Sequence, residues 1–386
     1  RALARFAGRA DVPEALRIEA LRELGEWAKP SGRDRIVGLW RPLEARSVEP
    51  AADALRPALG GIFSGPDRLR QEAAKLAGKF GIKEIGPVLL ELLADKKRPA
   101  QVRAEMLVAL QALKDERLKD AMQLALDDQD PQVRTAGRRV QAKLQPQEAL
   151  VGLTAALEKG DVAERQGAFS ILAEMSGDDV EALLSHWLDK LLAHELPVEI
   201  QLDLLTASGR HATAEIKQRL AKFESSRPRN DHLANYREAI AGGDPEAGRR
   251  IFLHKSEVSC VRCHKLQGEG GEVGPDLTGI GARQNREYLL ESIVDPNKQI
   301  AKGFETVVLG LKNGTVQIGI VKSEDDKEIR LMTADGKLVK VAKDQVEERQ
   351  TGKSAMPEDI IKQLSKAELR DLVEFLARLK EGGPKN

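Results

Sequence analysis

Cysteine is almost missing from this chain: there are two in 386 residues. No second pair exists to complete a structural zinc site, which usually takes four ligands. A surplus of charge is missing as well, since 61 basic residues face 61 acidic ones. The balance is local, with 24 of each sign from 241 onward and 37 of each before. Without a clustered excess of Lys and Arg there is no electrostatic case for nucleic acid or an anionic membrane surface as partner. No uninterrupted apolar run of about 18 residues exists, which excludes a transmembrane segment as an expectation. Aromatic residues are scarce at 3%, yet 41% of the chain is hydrophobic, enough for the cores of two or three domains.

What the first 240 residues do contain is Ala, Leu, Glu, Lys and Arg, all strong helix formers. Segments such as PDRLRQEAAKLAGKF, PAQVRAEMLVALQAL, PQVRTAGRRVQAKL and VAERQGAFSILAEM share an opening with an arginine near an aliphatic or small position. Arg70, Arg103, Arg134 and Arg165 recur at intervals of 33, 31 and 31, and Arg17 stands in a similar context. Val102, Met106, Ala109, Leu110 and Leu113 keep a 3.6-residue period; Leu118, Met122, Ala125 and Leu126 form a second stripe. Each unit therefore reads as two antiparallel helices. Pro13, Pro66, Pro99 and Pro131 fit first turns, where a missing N–H costs little. The pattern resembles HEAT-like repeats stacked into a solenoid, over roughly residues 10 to 225. The expected role of the arginines is to pack their stems and bond a neighbouring turn. Trp27, Trp40 and Trp187 are expected in core or inter-repeat packing. Such a region argues for binding and not for chemistry.

The two cysteines sit at Cys260-Val-Arg-Cys263-His264. Two thiols on one helical turn can add to the two vinyl groups of a haem while the adjacent histidine turns its imidazole toward the iron, so this is the pattern for covalent c-type attachment. Zinc lacks further ligands. A thioredoxin-like pair would need a βαβ unit, and none precedes the motif.

The surrounding GDPEAGRRIFLHKSEVSCVRCHKLQGEGGEVGPDLTGIG resembles the opening of class I cytochromes c. The resemblance implies that Gly248 and Phe252 cross a C-terminal helix in which Phe375 is the facing aromatic. It implies that His264 is the proximal ligand, that the Pro275 carbonyl accepts the imidazole Nδ1 proton, and that Leu277 lines the haem. Met356, in the loop TGKSAMPED before a final amphipathic helix, matches the family's distal thioether; His254 is the alternative, with an awkward reach. The other four methionines are expected in cores. Arg283 and Tyr288 are candidates for a propionate contact, against a bland reading as a surface ion pair and a packed ring.

Residues 303 to 352 depart from that family. Alternation and β-branched residues dominate, with Asn313-Gly314 and Asp335-Gly336 marking hairpins, so four or five antiparallel strands are expected to close a small barrel. The combination of helical repeats, CxxCH, YLLESI, a β insertion and an SxMP ending resembles the haem-binding domain of Planctomycetes and Verrucomicrobia. In longer relatives such a tail follows a dehydrogenase-like propeller, so the resemblance implies that Arg1 is a truncation point.

The expected architecture is mainly α. A HEAT-like solenoid over 1–235 precedes a cytochrome c-like haem domain over 241–386, with the β-barrel insertion at 303–352. The expected function is single-electron transfer by one covalent haem c, held by Cys260, Cys263, His264, Pro275, Leu277 and Met356 and ligated by His264 and Met356. Partners would be redox proteins docked by the repeats, with a dehydrogenase among the possible donors. The haem chemistry implies a periplasmic or otherwise extracytoplasmic location. Two alternatives stay open: a haem enzyme or sensor with an open distal site, and a protein whose main work is scaffolding.

Overall fold

The computed structural model describes residues 1–33 and 37–380; the last six residues of the expected haem domain lie outside it. The chain divides into two compact units, Arg1–Val180 and Glu181–Asn386, and the division falls within the helix Asp178–Leu192.

The regular elements of the first unit are all helices among the described residues. Its repeat-opening helices Asp67–Phe80, Ala100–Leu113, Pro131–Leu144 and Val162–Leu172 each pack on the next, and shorter helices such as Gly86–Ala94 and Leu118–Leu126 form the second layer. One continuous apolar core runs through Leu69, Leu89, Met106, Leu110 and Met122, as the 3.6-residue stripes require. Of the prolines, Pro131 is the first helical residue, whereas Pro13, Pro66 and Pro99 sit one position earlier as N-caps.

The recurrent arginines reach back to carbonyls of the preceding turn. Arg17 donates to Ala7 O at 2.8 Å, Arg70 to Phe63 O at 2.6 Å, Arg103 to Arg98 O at 3.2 Å and Arg165 to Glu158 O at 3.0 Å. Arg134 donates to the carbonyls of Asp128 and Gln129 at 2.9 and 2.7 Å. The carbonyls of Ala7, Phe63 and Glu158 lie in the last turn of a helix, which leaves them without intrahelical partners; those of Arg98, Asp128 and Gln129 lie in the loop before the next helix. Of the three tryptophans only Trp187 is buried. Trp40 is 72% exposed and Trp27 is 36% exposed, with the Arg46 guanidinium over its ring. The core expectation fails for these two because the described residues around them, 26–33 and 37–48, form no helix with a face to pack against.

In the second unit the helices Val198–Ser208 and Ala214–Ser226, read from sequence as the last of the repeats, lie with the C-terminal elements. Asp203 forms a two-pronged ion pair with Arg370, at 2.5 and 3.2 Å. The stretch LANYREAIA is a series of turns with a short 3-10 segment, Arg237–Ala239. Its Leu233 and Ala239 enter the C-terminal core, so this stretch belongs to that core and is no free linker.

The helix Pro245–His254 opens on Asp244, whose side chain accepts from Glu246 N. It packs against the last helix, Lys366–Arg378, which a capping box starts at Ser365 and Glu368. A Cβ on Gly248 would lie 2.0 Å from Asp371 O and 2.7 Å from Phe375 Cβ, so only glycine allows this crossing. Phe252 and Phe375 meet with ring centroids 5.8 Å apart, tilted by 51°.

Residues 303–352 form an open sheet and not the expected barrel. β1 (Lys265–Leu266) and β2 (Glu269–Gly270) make a small hairpin after the cysteines. The insertion supplies β3 (Thr306–Leu311), β4 (Val316–Glu324), β5 (Glu328–Met332), β6 (Leu338–Ala342) and β7 (Val346–Thr351). They are antiparallel in the order β6-β5-β4-β3-β7, which leaves β6 and β7 as edges. Closure would need those edges to pair. Instead β7 is largely exposed and carries Glu347, Glu348 and Arg349, charges that suit a solvated edge. Gly314 and Gly336 take φ of +80° and +81° at the two expected hairpin turns.

Candidate functional site

Cys260 and Cys263 occupy one turn, the helix Cys260–Cys263, entered from Ser259 in the left-handed region at φ +43°. Both thiols are free and half-buried. Burial pushes the Cys260 thiol up to about 11 and raises that of Cys263, so both are neutral at pH 7.

The backbone after them folds back tightly on the turn. Gly271 N donates to Val261 O at 2.9 Å, Gly274 N to Cys263 O at 2.7 Å and Leu277 N to Lys265 O at 2.9 Å. Glycine is required at these approaches: a Cβ on Gly271 would lie 1.8 Å from Arg262 O, and one on Gly274 would lie 2.5 Å from His264 Cε1. The run of four glycines in QGEGGEVG is the signal that could have found this fold-back, but sequence reading passed over it.

The His264 imidazole stands against Gly274, and its Nδ1 lies 2.9 Å from Pro275 O. A carbonyl only accepts, so the proton sits on Nδ1. Burial depresses the imidazole pKa, the bond to Pro275 O opposing it. The ring is thus held neutral, with the Nε2 lone pair as its free donor.

The Asp276–Thr278 stretch is tied by Arg283, which donates to Thr278 O at 2.8 Å and Asp276 O at 3.1 Å. This engages Arg283 in the loop itself. Tyr288 packs beside the C-terminal core as a partly buried ring.

Met356 lies in the same apolar cluster as Cys260, Leu266 and Leu277, all of them partly buried beside Phe252, Leu289 and Leu372. Its loop is tied to Asn297, whose Oδ1 accepts from Ser354 N at 2.8 Å, and is turned internally by Met356 N donating to Ser354 Oγ at 3.2 Å. Met106, Met122 and Met332 are buried, while His254 is exposed at the end of its helix.

These residues fit a haem. The set is two thiols on a single turn, an imidazole directly after them with its Nε2 lone pair available, and a thioether that shares an apolar cluster with Cys260 and Leu277. Among the described residues no group of three or more His, Cys, Asp or Glu is arranged to hold a metal ion by itself. Nor is any described helix long and apolar enough to cross a membrane.

Residues 52–141 match the family model for HEAT repeats, and residues 245–317 match that for cytochrome c. Cytochrome c of Cochliobolus lunatus is 38% identical over 64 residues, 16% of this chain and 54% of that protein. Cytochrome c of Arabidopsis thaliana is also 38% identical over 64 residues, covering 16% of this chain and 52% of that protein. The chain thus spans about half the length of the curated relatives it matches. A structure of human deoxyhypusine hydroxylase in complex with glycerol aligns over 62% of this chain and 82% of its own, at 17% identity and a TM-score of 0.28, too weak a likeness to argue from. The chain therefore carries HEAT repeats and a cytochrome c domain, and the latter implies haem c.

Proposed function

We propose that this protein is a c-type cytochrome that moves single electrons between protein partners. One haem would be attached through Cys260 and Cys263, with His264 and Met356 as iron ligands, Pro275 as the acceptor that orients the imidazole and Leu277 as part of the lining. When bound, the haem supplies a reversible one-electron valence change. The protein's own part is to present Nε2 of His264, hold the ring through Pro275 O, and keep water from the apolar cluster around Met356. A thioether ligand in apolar surroundings favours the reduced state, so the potential is positive.

The observation that carries the reading is the imidazole of His264 clasped between Gly274 and the Pro275 carbonyl directly after the paired cysteines. The HEAT-repeat region serves as a docking scaffold for an electron donor such as a dehydrogenase, or for an acceptor. Haem attachment of this type takes place outside the cytoplasm, which argues for a periplasmic or equivalent location. The motif series from CxxCH to SAMPE supports the Planctomycete and Verrucomicrobial type.

The test is optical. Ferric wild-type protein is expected to show the weak far-red band of sulfur-to-iron charge transfer, and Met356→Ala to lose it. Persistence of the band in Met356→Ala would remove this residue from the iron.

A further inference from the structure

We propose that the β insertion is a clamp holding the Met356 loop against the loop that follows Cys263. The inference rests on the ligand assignment just given and adds a function for residues 303–352.

The insertion touches both loops. On the Met356 side, the Thr306 hydroxyl of β3 donates to Lys353 O and Gly352 N donates to Thr306 O at 2.8 Å. These bonds lie just past the end of β7 at Thr351, four residues before Ala355, the neighbour of Met356. On the cysteine side, the Lys322 ammonium of β4 donates to Glu272 O at 2.8 Å while resting 5.0 Å from the Phe304 ring centroid. Between these ties, Ile320, Met332 and Val273 form a small buried cluster, and Cys263, Phe304 and Ala355 pack against it.

One side of the sheet thus contacts an attachment cysteine and the neighbour of the distal thioether at once. The sheet has its own apolar cluster in Leu309, Ile329, Leu331 and Val341, so it is a rigid block and the two loops are fastened to a single body. A loop fixed this way loses less conformational freedom when its thioether binds, which favours retention of the ligand over an outside competitor. Thr306 is therefore a positioning residue. It acts on Met356 through Lys353 O, and Asn297 holds the same loop from its other side.

The experiment titrates the ferric, haem-loaded full chain with imidazole and follows the far-red band. Thr306→Val removes one hydrogen bond to the loop and is expected to raise the apparent imidazole affinity about five-fold; Thr306→Ser, which keeps the hydroxyl, is expected to match wild type. Gly352→Ala attacks the same contact independently, since its Cβ would sit 2.3 Å from Thr306 Oγ1, and it replaces Thr306→Val if that variant does not fold. Wild-type affinity in Thr306→Val and Gly352→Ala, with the band present, would overturn the clamp. A wild-type protein without the band would overturn the ligand assignment instead, so the two failures are distinguishable.

Discussion

The two regions differ in the contacts that most often hold their backbones together. In the repeats, long side chains span the gaps: Arg17, Arg70, Arg103, Arg134 and Arg165 each cross to a carbonyl of the turn before. In the C-terminal unit, side chains are removed so that backbones touch, at Gly243, Gly248 and Gly281 along the last helix and at Gly271 and Gly274 behind the cysteines. A reaching arginine can be repeated in every unit because each copy needs only its neighbour. A glycine contact joins distant parts of the chain at one distance, as Gly248 does with Asp371, and serves a site in which a few atoms must be placed accurately. The difference matches a scaffold in the first case and a cofactor cradle in the second.

The largest effect expected from this contrast is at Gly271. Gly271→Ala drives a Cβ into Arg262 O and should destabilise the C-terminal unit by about 4 kcal/mol or more, as severe backbone clashes do. In the repeats, Gly78→Ala meets Ala112 Cβ at 3.3 Å and should cost about 1 kcal/mol or less. Thermal unfolding of both variants checks the pair, and equal losses would erase the distinction between the regions.

An intermediate effect is expected at Glu164, a buried carboxylate that accepts from Arg134 and Arg138 at 2.9 Å each. The Arg134 guanidinium first, and Arg138 next, hold its pKa down to about 2, against desolvation. A depressed folded-state pKa gives stability that is full above the ordinary carboxyl range and is lost as pH falls from about 4.5 toward 2. Glu164→Gln should therefore cost roughly 2 kcal/mol at pH 7 and flatten acid unfolding of the repeats in that window. Denaturant melts at pH 7 and pH 3 provide the comparison. A variant as acid-sensitive as wild type would show that the arginine ties are not electrostatic.

The smallest effect belongs to the hairpin turns. Gly314→Ala forces alanine to φ +80° with nothing nearby to clash, so the cost should be about 1 kcal/mol and confined to the sheet. Hydrogen exchange across β3 and β4 would detect it, and accelerated exchange at Gly248 would contradict that confinement.

Local features were legible in the sequence wherever one chemical rule acted alone. The 3.6-residue stripes led to the repeat helices and Asn313-Gly314 and Asp335-Gly336 to two hairpins, whereas the crossing at Gly248, Phe252 and Phe375 was implied only by the resemblance to cytochromes c. Tertiary choices were not legible. Whether five strands close depends on pairing between β6 and β7, and strand signals say nothing about edges. In the stretch 231–240 nothing local marks Glu238 for the core, yet it is buried because Arg227 and Lys366 both bond it. Trp40 shows the converse: a residue type common in cores is exposed where the chain around it is irregular. At the site, Cys260, Leu277 and Met356 share an apolar cluster and His264 meets Pro275 O, whereas Thr306, Asn297 and Lys322 carry no local signature, since their partners are 47, 57 and 50 positions away.

The most direct test of the central claim is the intact mass of the matured protein after unfolding in denaturant. The expected result is the polypeptide mass plus one haem, retained without native structure because both Cys260 and Cys263 hold it. A polypeptide of bare mass, with all haem released on unfolding, would contradict it.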